Sequence, residues 1–131
     1  MREIKFRAWD ILKQRWSNYK INDGTVYFMD KNTGVWYESY NKRYKDFNLM
    51  QYTGLNDKND REIYEGDIVI HHSKMHKIIF NTEEARFVLR DDEFELEIPF
   101  TNNNNKKMEI VGNIYENPEL LGEQEWLLNK Q

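Results

Sequence analysis

The chain has 131 residues and a mass of 16.1 kDa, carries a formal net charge of −4 and has a mean hydropathy of −0.94. That length suits one compact unit of ordinary domain size, with at most a smaller lobe attached. Aromatic residues make up 15% of it, which excludes a disordered chain, and zero Cys excludes disulfides, thiolate zinc sites and thiol nucleophiles together.

Period-2 alternation dominates from the start. Ile4, Phe6 and Ala8 alternate with Lys5, Arg7 and Trp9, which predicts a strand with one buried face. Residues 10–14 turn it back into a second strand around Trp16–Ile21. Asp23-Gly24 then precedes Thr25–Met29, a hairpin signal because both turn positions tolerate positive φ. Asn32-Thr33-Gly34 repeats the pattern before Val35–Tyr40, and Asn41–Asn48 reads as a charged connector. Beyond it come Leu49–Tyr52, a polar loop at Asn56–Arg61, and a strand at Ile68–His71 with Lys77–Phe80 returning antiparallel to it. Arg86–Arg90 follows as a further strand. The clearest alternation is Glu93–Phe100, with Phe94, Leu96, Ile98 and Phe100 on an inner face and Glu93, Glu95 and Glu97 on an outer one. Pro99 donates no ladder hydrogen bond and places this end at a sheet edge. Met108–Tyr115 is the last strand, with Gly112 marking a bulge or bend. Asn117-Pro118 opens a short helical turn closed by Gly122, and Glu123–Lys130 predicts a second short helix that needs Trp126 and Leu127 to dock.

Together these elements predict a mainly β fold. An N-terminal β-hairpin or meander lobe spans 1–48, and about five strands over 49–131 suffice for an SH3-like small barrel with short C-terminal helical turns. The two parts are expected to pack as one unit. The longest apolar runs, Ile68–Ile70 and Ile78–Phe80, fall far short of the ~20 residues of a membrane span. Met1–Lys5 lacks the apolar stretch of a signal peptide, so the expected place is the cytoplasm.

Reactive chemistry finds little footing. His71 and His72 on one strand point to opposite faces, whereas His72 and His76 can face each other across Ser73-Lys74-Met75 as two metal ligands without an evident third. Asp30-Lys31-Asn32-Thr33-Gly34 and Asp57-Lys58-Asn59 imitate the start of a calcium loop, but Asn41 and Ile68 stand where the closing Glu belongs. Asp91-Asp92-Glu93 reads as an acidic hairpin tip. Ser17, Ser39 and Ser73 lie in no nucleophile elbow, and no Gly-rich loop precedes a helix to cradle phosphate. No catalytic residue, metal or cofactor is assigned.

Three stretches carry a family pattern. They are Phe6-Arg7-Ala8-Trp9-Asp10, then Met50-Gln51-Tyr52-Thr53-Gly54-Leu55 through Ile63-Tyr64-Glu65-Gly66-Asp67-Ile68-Val69, and finally Gly112-Asn113-Ile114-Tyr115-Glu116-Asn117-Pro118-Glu119-Leu120-Leu121. In order and spacing the chain resembles the YopX family of small proteins encoded by phages and prophages of low-GC Gram-positive bacteria. Lys58-Asn59-Asp60-Arg61 departs from the Lys-Asn-Gly-Lys turn usual there. The resemblance implies a mostly β protein with an SH3-like barrel in its C-terminal part, and it implies no catalytic residues. For the matching Gly, Asp and Pro residues, turn and packing roles are expected: backbone freedom at Gly54 and Gly66, and acceptance of turn amides by Asp67.

Charge is divided unevenly. Residues 1–61 carry a net +4 and residues 62–131 a net −8. The basic half interleaves Arg7, Lys13, Arg15 and Lys20 with Trp9, Trp16, Trp36 and several Tyr. Internal packing of the halves, protein association and nucleic-acid stacking all use such a pattern, although overall acidity argues against the last. The expectation is therefore a non-enzymatic phage or prophage accessory protein acting through association with itself or with a host or phage partner. The alternative is a single-stranded nucleic-acid-binding module. Arg7, Trp9, Arg15, Trp16, Trp36 and Tyr37 are the candidate partner-binding residues.

Overall fold

The computed structural model describes residues 3–30, 33–38, 47–92, 94–101 and 104–121. Twelve strands lie among them, and the protein is mainly β. No helix among the described residues is long and apolar enough to cross a membrane. The chain divides into two compact units, one formed by Lys5–Gln51 and the other by Met1–Ile4 with Tyr52–Gln131. The sequence places a net +4 on the first and −8 on the second.

In the smaller unit, β1 (Phe6–Asp10) pairs antiparallel with β2 (Arg15–Ser17) and with Phe47–Gln51 of β6 (Phe47–Asn56). A second sheet runs β3 (Tyr19–Asn22), β4 (Thr25–Met29), β5 (Trp36–Glu38). Alternation in β1 turns Ala8 to the side of Leu49, and alternation in β4 turns Val26 and Phe28 the opposite way from Tyr27. Ala8, Phe28 and Phe47 form the buried cluster of this unit, flanked by Tyr19, Val26 and Leu49, and the Phe28 and Phe47 rings stack 4.8 Å apart. The stretch predicted as one strand, Trp16–Ile21, is broken at Asn18, so its halves serve different sheets. Asp23 and Gly24 both take positive φ, 50° and 77°, which gives the expected tight hairpin.

In the larger unit a five-stranded sheet curls as a half-barrel in the order β11 (Leu96–Pro99), β10 (Arg86–Asp91), β9 (Lys74–Asn81), β8 (Asp67–His71), β12 (Glu109–Asn113). Tyr52 and Asn56 of β6 pair with β7 (Glu62–Tyr64). The core is Ile63, Val69, Ile78, Phe87, Leu89, Met108 and Ile110, with Phe100 packed against it. Between the two pairs of β6 and β7 the register slips, with Gly54 at φ 90°. Thr53 Oγ1 donates across this bulge to the Ile63 carbonyl at 2.7 Å. Gly66 takes φ 89°, and Asp67 accepts the Tyr64 amide at 2.7 Å, as expected of turn residues. The bulge expected at Gly112 is present between Ile110 and Gly112.

A further sequence expectation changes. Glu93–Phe100 shortens to β11, because Glu95 takes a left-handed φ of 54° and ends the alternation. Leu96 and Ile98 then stand 55% and 36% exposed at the sheet's edge instead of inside it. Asn117 does open a turn, helical at 119–121, in which Leu120 and Leu121 amides reach the Asn117 and Pro118 carbonyls. Gly122 and the helix expected at Glu123–Lys130 lie outside the described residues.

Candidate functional site

The six candidate partner-binding residues do not share one surface. Arg7, Trp9 and Trp16 lie on the face of the β1–β2 ladder opposite Ala8, since Trp9 pairs with Trp16 and Ala8 with Ser17. Trp9 is buried, with its ring edge-on to Trp16 at 4.9 Å. The Arg7 guanidinium covers Trp16 at 4.7 Å and reaches the Met50 sulfur at 3.9 Å. Arg15 is on the other face, 3.8 Å from the Asp30 carboxylate. Trp36 stands on the outer face of β3–β4–β5 under the Lys20 ammonium, 4.4 Å from its ring, and the same ammonium lies 5.5 Å from the Tyr27 ring. Tyr37 alternates to the inner face opposite Phe28. The cation–aromatic contacts that the sequence suggested for a partner are thus made within the chain itself.

The histidines also differ from expectation. His72 is not on a strand but in a two-residue turn with Ser73, both with positive φ (52° and 64°), and this brings its ring to 4.0 Å from that of His71. His71 and His76 share the core face of the half-barrel, their rings 6.0 Å apart. Among the described residues no three His, Asp or Glu side chains are arranged to hold a metal ion. The calcium-like start at Asp57 is occupied by its own backbone: Oδ1 accepts the Asn59 and Arg61 amides at 2.9 Å each, and Oδ2 the Ile110 amide at 3.0 Å. Asp92 of the acidic tip is held by Lys77 at 2.9 Å and Arg90 at 3.0 Å.

What sequence reasoning missed is the exposure of the apolar stripe that it placed inside. Leu89 pairs with Ile98 and Asp91 with Leu96, so Leu96, Ile98 and Phe100 share the core face of the half-barrel beyond the last buried strand. The backbone beside them is a poor template for an added strand. Phe100 donates to the Phe87 carbonyl at 3.3 Å, which makes the Leu89–Ile98 and Asp91–Leu96 pairs the hydrogen-bonded ones and turns Glu97 and Pro99 outward. Pro99 has no N–H, and the Glu97 carboxylate lies 2.9 Å from the Asn81 amide and 3.7 Å from Arg90. Such an edge resists strand addition. At Phe100 the stripe enters an open cleft of ≈ 440 Å³ walled by the Phe80, Phe87 and Phe100 rings and Leu55. Phe80 is 40% exposed there, and the Arg86 guanidinium at the rim is held by Glu84 at 2.8 Å. The alternation of Glu93–Phe100 signalled an apolar face, and Pro99 signalled an edge; taken together they mark a face exposed at that edge.

Among solved structures, protein EF1440 from Enterococcus faecalis is similar with a TM-score of 0.63 and 27% identity, over 92% of this chain and 99% of that one. Protein yopX from Bacillus subtilis is similar in fold, with a TM-score of 0.52 and 18% identity over 92% and 99% of the two chains. No curated protein matches the sequence. The description "YopX protein" matches residues 5–122, nearly the whole of both units, and the chain belongs to the YopX family.

Proposed function

We propose that the chain is a non-enzymatic accessory protein of a phage or prophage that works by protein–protein association, with itself or with a second protein, through the stripe of Leu96, Ile98 and Phe100. One observation carries this reading: three apolar side chains, two on an edge strand and Phe100 just after it, point the same way, the first two more than one-third exposed. Adjacent exposed apolar groups of this kind mark association surfaces in folded proteins. Because Pro99 and Glu97 blunt the edge, recognition rests on side chains fitting a partner's apolar surface, with no strand added to the ladder. The same part of the chain is read as an SH3-like barrel, supported by five antiparallel strands curled around one core.

Light scattering on the intact protein and on the Leu96→Lys/Ile98→Lys variant tests the self-association form. A mass that rises with concentration in the first and stays monomeric in the second supports it. If both stay monomeric, capture from prophage-carrying cells must recover a protein that the double variant loses, or the reading fails. The nucleic-acid alternative has no such support: Trp9 is buried, and Trp16 and Trp36 lie under the chain's own Arg7 and Lys20.

A further inference from the structure

Three imidazoles gather where β8 turns into β9, at one end of the half-barrel. Val69 pairs with His76, and Arg90 with Lys77, so Asp91 lies across from His76 and Leu96 beyond Asp91 on β11. Two residue pairs farther out, His71 pairs with Lys74, whose ammonium sits 3.9 Å from the centre of the Phe94 ring. The cluster is interior: His71, His76 and Asp91 are 6%, 3% and 5% exposed. His76 Nδ1 stands 3.2 Å from the Lys74 carbonyl, so the neutral ring keeps its proton on Nδ1 and takes up a second one on Nε2. His71 Nδ1 is buried and makes no hydrogen bond among the described residues.

We propose that His71 and His76 form an acid-sensitive latch at this end of the half-barrel, closed while both rings are neutral and opened when they take up protons. Burial disfavours the charged form of both rings; the surrounding charge adds to it at His71, whereas at His76 the cations are opposed by a carboxylate. His72 and Lys107 act on His71, and Lys74 and His72 act on His76; Asp91 is the carboxylate that favours a charged His76. A proton on His71 Nδ1 would be a buried N–H without an acceptor, beside cations. The least costly relief is to part the hairpin end at His72-Ser73 from β10 and β11, which carries Lys74 off the Phe94 ring. Phe94 and Leu96 then lose their fixed positions, so acid would reshape the start of the apolar stripe. That last consequence rests on the association reading; the latch does not.

Two measurements on the intact protein test it. In an NMR pH titration, the ring protons of His71 and His76 should respond below the ordinary histidine value of 6.5; titration at or above that value overturns the latch. Amide exchange, corrected for its intrinsic pH dependence, should speed up at least tenfold at Met75 and Leu96 on going from about pH 7.5 to about pH 5.5, with Phe28 unchanged as internal reference. The His71→Leu/His76→Gln variant should lose this acceleration, whereas His72→Asn should keep it. Equal acceleration at Phe28, or persistence in the double variant, overturns the proposal. Light scattering at the two pH values separates the readings: opening without a change in mass leaves the latch standing and counts against association through the stripe.

Discussion

Gly112 shows how one absent methyl group holds a turn together. A Cβ built there would lie 2.5 Å from Asn117 Oδ1 and 2.9 Å from Asn117 Cβ, closer than real carbons approach. Asn117 cannot simply swing away, because its Oδ1 accepts the Asn113 amide at 3.2 Å and its own amide donates to the Asn113 carbonyl at 2.9 Å. Asn113 in turn accepts the Tyr115 and Glu116 amides at 3.0 and 2.8 Å. Gly112→Ala should therefore destabilise the protein by about 1–3 kcal/mol in urea unfolding, the usual cost of overpacking a closed site. The same substitution in an Asn117→Ala background should cost clearly less, because the clashing group is gone. Additive losses would show that the contact with Asn117 is not the cause. The sequence marked Gly112 as a bulge, since Gly inside a strand pattern means that. It was silent on Asn117 as the neighbour that excludes a side chain, because a clash across four residues depends on the turn's geometry.

At the scale of elements, the β8–β9 hairpin is built with the wrong residues for its shape. A two-residue turn with positive φ at both positions suits Asn-Gly, whereas here His72 and Ser73 sit at 52° and 64°. The flanking ladder, from Ile68–Lys77 to His71–Lys74, holds them in place. The His72→Asn/Ser73→Gly double variant should raise stability by about 1–2 kcal/mol by relieving left-handed strain, read as a higher urea midpoint at neutral pH. An unchanged or lowered midpoint would mean that the His72 ring, 4.0 Å from His71, contributes more than the strain costs. This hairpin also explains why elements were legible and their details less so. Ile68–His71 and Lys77–Phe80 stood out as apolar runs, but neither His72 nor Ser73 favours left-handed backbone, so the tight turn was expected at Ser73-Lys74-Met75 and the return strand three residues late. Glu93–Phe100 failed the other way. Its alternation is strong, but alternation reports which side chains share a face, and whether anything covers that face is decided by neighbours far away in sequence. The scatter of Arg7, Arg15 and Trp36 over separate faces has the same origin, since composition counts aromatic and basic residues without saying which strand each will face.

For the whole molecule, the acid side of the stability curve should have two steps. His71 and His76 are held below 6.5 by burial, to which neighbouring cations add at His71, whereas at His76 Asp91 and the Lys74 carbonyl offset part of it. The unfolded chain therefore binds more protons than the folded one once pH drops below that value, and stability falls until the folded values are passed. Asp57 and Asp92 supply the second step. Burial alone would raise both carboxyls, but for Asp57 the Ile110, Arg61 and Asn59 amides with the Arg61 charge outweigh it, and for Asp92 Lys77 and Arg90 do, so both lie below 3.8. Their stabilisation is complete above that value and is lost as pH falls through the lowered ones. Urea midpoints measured from about pH 8 to about pH 2 should thus decline first below about 6.5, flatten, and decline again below about 4. His71→Leu/His76→Gln should remove the upper step and leave the lower. Asp57→Asn should leave the upper step and reduce the lower one to the part that Asp92 supplies, while lowering the midpoint at neutral pH, because three backbone amides lose a charged acceptor that joins the β6–β7 loop to β12. A single smooth decline centred near 4 would mean that the imidazoles are accommodated in either charge state. The interior row of His76, Asp91 and His71 would then do no more than fill space at the end of the sheet.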